Sequence, residues 1–110
     1  MNVRLYVLQR ASAAFMAPLL LIHLGVIFYA SSRGLSAAEI LARTRGSLLW
    51  GAFYAAFVVA AATHAAIGVR VIASEWTRWR DGALEALMWA CGLLLAALGL
   101  TAVAAVVVVV

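Results

Sequence analysis

The chain has no lysine, one cysteine, one proline and four acidic residues among its 110 positions. Each scarcity excludes something. The lone Cys91, set inside an apolar run, rules out an internal disulfide and any Cys-x-x-Cys metal site within the chain. Charged residues make up 11% of the chain, against about 25% in an ordinary soluble domain, so no polar shell can be drawn around it. Without lysine, the net charge of +4 rests on eight arginines set against Glu39, Glu75, Asp81 and Glu85. These arginines cluster at the ends of apolar runs, where they serve as topology and headgroup anchors. No basic face with interleaved aromatics exists elsewhere, which argues against nucleic-acid binding. No acidic residue lies in the first apolar run, unlike the small drug exporters, which carry a glutamate there.

What is abundant is apolar: 68% of the residues. Three stretches stand out, spanning about residues 11–30, 47–73 and 84–108, the last continuing through the valine run to Val110. Twenty residues of helix are about 30 Å long, the thickness of the hydrocarbon layer. The first stretch is too long for a signal-peptide core and no clear cleavage pattern follows it. The expected fold is therefore all-α and integral to the membrane: one domain over 1–110 with three transmembrane helices. Arg4, Arg10, Arg70, Arg78 and Arg80 fall on one side, and Arg33, Arg43 and Arg45 on the other. By the positive-inside bias this puts the N-terminus in the cytoplasm. Between the first two spans, Ser36 with Glu39 three residues on predicts a capping box and a short helix. Pro18 predicts a bend in the first helix.

Two histidines lie in the spans. His64 is in a stretch whose only other charged residue is Arg70, about 14 Å below the nearer surface. An imidazole in hydrocarbon requires a partner. Gly68 one turn later and Ala60 and Ala61 one turn earlier leave room for a neighbouring helix or a flat macrocycle. An axial haem ligand and a helix–helix hydrogen bond both satisfy this pattern. His23, in the first span, falls at nearly the same depth, so the two could bracket one haem within the chain. Arg10 and Ser12 open the first span. Arg10 and Arg70 are suited to a propionate or a quinone carbonyl as well as to snorkelling. Glu75 and Trp76, at the end of the second span, offer a proton carrier and an N–H donor.

These pieces resemble the hydrophobic membrane anchors of succinate dehydrogenase (succinate:quinone oxidoreductase), in particular the three-helix anchor called the D subunit. The likeness rests on Arg10-Ala11-Ser12-Ala13 opening the first helix, on His64, Gly68, Glu75 and Trp76 in the second, and on three spans in about 110 residues. It covers roughly residues 8–105 and, outside these motifs, is mainly hydropathy. The resemblance implies that His64 is the axial ligand of a b haem whose other ligand comes from a companion anchor subunit. It also places Ser12, Glu75 and Trp76 near ubiquinone or menaquinone, and Arg10 and Arg70 near the haem. Glu75 and Trp76 stand where the family has Asp and Tyr. An indole donates a hydrogen bond but cannot accept or exchange a proton as a phenol does. The implied partners are a flavoprotein, an iron–sulfur protein and a second anchor, in a bacterial inner membrane. The chain lacks flavin and iron–sulfur ligands, so it does not oxidise succinate alone. The rival expectations are a stand-alone b cytochrome using His23 and His64, a haem-free structural anchor, and a small transporter subunit.

Overall fold

A computed structural model describes residues 2–108, and among these no strand occurs. The chain forms four helices: α1 (Val3–Arg33), α2 (Ala37–Thr44), α3 (Leu48–Trp76) and α4 (Gly82–Val107). Three of them, α1, α3 and α4, are long and apolar enough to cross a membrane. The first helix begins well before the apolar run that signals it. Asn2 caps it by accepting from the Leu5 N–H at 2.9 Å, so Arg4, Gln9 and Arg10 are helical although they lie outside the uncharged run. Apolar run length reports the hydrocarbon-buried part of a helix, whereas caps set its ends.

α1 passes through Pro18 without ending and stops at Gly34, whose φ of 62° is the left-handed conformation that glycine adopts without strain. The Leu35 N–H then bonds the Ala30 carbonyl at 3.0 Å, and the Gly34 N–H bonds Ser31, closing a Schellman cap. The expected capping box opens α2: Glu39 N–H donates to Ser36 Oγ at 3.2 Å, and Ser36 N–H donates back to Glu39 Oε1 at 3.4 Å. Ser47 caps α3 through the Trp50 N–H. The α2–α3 connection also closes α4. Thr44 Oγ1 donates to the Val106 carbonyl at 2.7 Å and the Gly46 N–H to the Val107 carbonyl at 2.7 Å. The helix accordingly ends at Val107, inside the valine run, with Val108 extended; Val109 and Val110 lie outside the described residues.

α3 is the central element, packed against α4 on one side and α1 on the other. Contact is made through small residues. A Cβ on Gly99 would lie 2.5 Å from Val58 Cγ1, so only glycine lets α4 come this close to α3. Six apolar side chains are buried among the described residues, and three of those are alanines: Ala60, Ala62 and Ala66. Ile67 and Met88 complete a small core with Ala66, joined by Leu5 from α1. Large side chains such as Leu21, Phe28, Leu94 and Leu98 are exposed instead. Lipid tails are as apolar as leucine, so such surfaces carry no burial imperative in a bilayer, and close backbone packing holds the helices together.

Candidate functional site

α1 and α3 run antiparallel, with Gln9 beside Gly68, Ser12 beside His64, and His23 beside Tyr54 and Phe57. That register builds the site. Ser12 is buried, and its hydroxyl donates to the Gln9 carbonyl at 3.0 Å. The same oxygen lies 3.5 Å from His64 Nδ1, a long hydrogen bond. With the serine proton directed to Gln9, the oxygen is free to face the imidazole as an acceptor, an arrangement that suits the tautomer with its proton on Nδ1. The lone pair of the neutral ring is then on Nε2. Nε2 makes no hydrogen bond among the described residues and is not buried.

Beside this pair, a groove of about 540 Å³ runs between α1 and α3, walled by Ala11, Ser12, Ala55, Ala56 and Ala60. Leu8, Phe15, Val59 and Thr63 line it as well, so the groove is apolar, with the small side chains on its α3 wall. The opening foreseen at Gly68 is filled from within the chain: a Cβ there would sit 3.6 Å from the Gln9 amide nitrogen. Gln9 Oε1 is buried and has no partner among the described residues. Gln9 was not singled out from sequence; the signal was its place one turn before Ser12 on the same helix face.

His23 is elsewhere. Its ring meets Tyr54 and Phe57 edge-to-face at 5.6 and 5.5 Å between centroids, and its Nδ1 is buried without a partner. Ser12 marks the level of His64 on α1, and His23 is eleven residues further, about 16 Å along the helix. The near-equal depth expected of the two histidines is therefore not found. In this register Gln9 packs on Gly68, and the span ends are not what is aligned. Two axial ligands of one iron must face each other across a single macrocycle, and these two imidazoles do not.

Arg10 is exposed, its guanidinium carbon 5.8 Å from the Tyr6 ring centroid. Arg70 donates to Glu85 Oε2 at 3.0 Å, and Glu85 Oε1 accepts from the Trp89 indole at 3.3 Å. This cluster joins α3 to α4. At 100° per residue, Arg70 points about 120° away from His64 around α3. Glu75 and Trp76 are exposed at the end of α3. Glu75 is eleven residues from His64, about three turns and 16 Å along, and returns to nearly the same helix face. The structure thus brings Ser12 to His64, aligns Glu75 with them at the water-facing end, and gives Arg70 a different partner.

The donor chemistry fits a haem b on one ground: a half-buried imidazole whose Nδ1 faces Ser12 and whose Nε2 is unbonded among the described residues. A sequence model of the succinate dehydrogenase/fumarate reductase transmembrane subunit matches residues 1–110. No curated protein and no solved structure matches the chain.

Proposed function

The chain belongs to the family of succinate dehydrogenase/fumarate reductase transmembrane subunits, and we propose that it is the D-type anchor, holding a b haem through His64 and forming one wall of the quinone site. A membrane subunit of this family works in a complex with other subunits. Here these are a flavoprotein, an iron–sulfur protein docked on the end of the bundle carrying Arg4, Arg78, Arg80 and Trp79, and a second hydrophobic anchor. That end faces the cytoplasm of a bacterial inner membrane in this reading, and the bias of five arginines to three supports the orientation.

The observation that carries the proposal is the Ser12–His64 contact. Ser12 fixes the ring and its tautomer, so that Nε2 presents its lone pair to iron. The haem, when bound, supplies a one-electron iron centre in a medium of low dielectric. The second axial ligand comes from the companion anchor, because His23 is too far along the bundle to provide it. Arg10 lies at the membrane entry, about 160° around α1 from Ser12, so in this reading its guanidinium reaches a propionate only at the rim of the bundle, through its long side chain. Arg70 serves mainly to hold α4 through Glu85.

Ubiquinone or menaquinone enters from the bilayer near the end of α3. There the Trp76 indole donates to a quinone oxygen and Glu75 delivers a proton to it. Ser12, whose proton is directed to Gln9, acts in this reading by positioning His64. The test is a reduced-minus-oxidised optical spectrum of the purified complex. A b-type signal present in the wild type and absent in His64→Ala supports the reading, and an unaltered signal in His64→Ala refutes it.

A further inference from the structure

We infer that the end of the bundle remote from His64 binds one anionic phospholipid, with its phosphate at Arg33 and Arg43 and an acyl chain in the cleft below them. The guanidinium carbons of Arg33 and Arg43 lie 5.5 and 5.3 Å from the same Tyr29 ring centroid. The two charges are therefore within about 11 Å of each other. Among the described residues neither has a carboxylate partner: the ion pair there is Arg70–Glu85, and Glu39, the nearest acid in sequence, is turned onto Ser36. Two like charges held at the rim of a low-dielectric slab repel, and an anion between them removes the repulsion.

Below Arg43 a cleft of about 320 Å³ opens among α1, α2 and α3. Its walls descend α1 from Tyr29 through Val26 and Gly25 to Ile22, about 10 Å into the membrane-spanning segment, with Trp50 and Tyr54 opposite. The occupant must then be anionic at one end and apolar along its length. A quinone has no negative charge for the arginine pair, and a soluble phosphate leaves the apolar part unfilled. A phospholipid with a net negative headgroup, such as phosphatidylglycerol, meets both demands.

Gly25 gives a test, because it lines the cleft and a Cβ there meets nothing within 4 Å, so a larger side chain has open space to enter. The full complex is purified in mild detergent, exchanged through phosphatidylcholine micelles, and its retained lipid counted by native mass spectrometry. Wild type retains phosphatidylglycerol in preference to phosphatidylcholine. Retention falls roughly tenfold or more in the Arg33→Gln/Arg43→Gln double variant, as expected for the loss of two headgroup contacts. It falls also in Gly25→Leu, whose charges are intact and whose unfolding temperature is not lowered. Arg45→Gln, which removes a charge from the same end but does not touch Tyr29, keeps its lipid. Should the double variant fail to fold, Gly25→Leu decides. Undiminished retention in Gly25→Leu, equal retention of phosphatidylcholine, or complete displacement by soluble glycerol phosphate overturns the proposal. None of these outcomes depends on His64 being a haem ligand.

Discussion

Ser12 and His64, fifty-two residues apart, meet at 3.5 Å between hydroxyl oxygen and Nδ1, and the serine proton is directed to the Gln9 carbonyl. The direction of that proton makes the contact informative. It suits an imidazole with its proton on Nδ1, which leaves the Nε2 lone pair for the iron in the proposed reading.

Ser12→Ala removes the acceptor and frees the ring to turn. Outer-shell partners of this kind are typically worth about 10- to 100-fold in metal affinity. The haem-to-protein ratio of the purified complex, measured as the pyridine haemochrome, is expected to fall, with the remaining haem released faster to apomyoglobin. Ser12→Thr keeps the hydroxyl and restores occupancy. Equal haem retention in Ser12→Ala and wild type shows that the serine does not position the ligand.

Gly99→Ala tests the close approach of α3 and α4. With the new Cβ placed 2.5 Å from Val58 Cγ1, either the helix or the valine must move. Overpacking of this sort costs about 1–3 kcal/mol. Unfolding in mixed micelles should show that loss, and Val58→Ala in the same chain should recover most of it. An additive double variant would mean that the two residues do not share the contact.

Arg70 and Glu85 are joined at 3.0 Å, with side chains 19% and 54% exposed. Glu85, the exposed partner, lies in the first turn of α4, and a pair with one partner at a helix end is worth about 1 kcal/mol. Glu85→Gln is therefore expected to leave the fold and the haem spectrum in place, with unfolding altered by that amount or less. A lost b-type signal would give Arg70 or Glu85 a role at the haem that their geometry does not suggest.

Asp81 takes a φ of 46°, a backbone region that favours glycine, and its side chain makes no capping bond to α4. Asp81→Gly should relieve strain of about 1 kcal/mol and raise the unfolding midpoint, without change in haem content.

Much of this architecture was legible because membrane spans obey a simple rule. An uncharged run of twenty apolar residues has few alternatives to a helix, and the Ser36–Glu39 spacing marks a cap. His64 stood out for the same reason, as a polar group in hydrocarbon. What did not follow from sequence was how α1 and α3 align. Two nearly uniform apolar cylinders can slide past each other, and the observed offset packs Gln9 on Gly68. That offset separates His23 from His64 and brings Ser12 to the ring. The Arg70–Glu85 pair was within reach of sequence, since both residues lie within two turns of the short α3–α4 connection. Read singly, Arg70 suited a propionate, a quinone carbonyl or a snorkelling anchor, and Glu85 carried no reading beyond its charge.

The most direct measurement is the dithionite-reduced minus oxidised spectrum of the complex carrying His64→Ala, set beside the same spectrum for His23→Ala. The account predicts a b-type signal absent from the first and intact in the second. A signal that survives His64→Ala, or that disappears with His23→Ala while the subunits remain assembled, contradicts it.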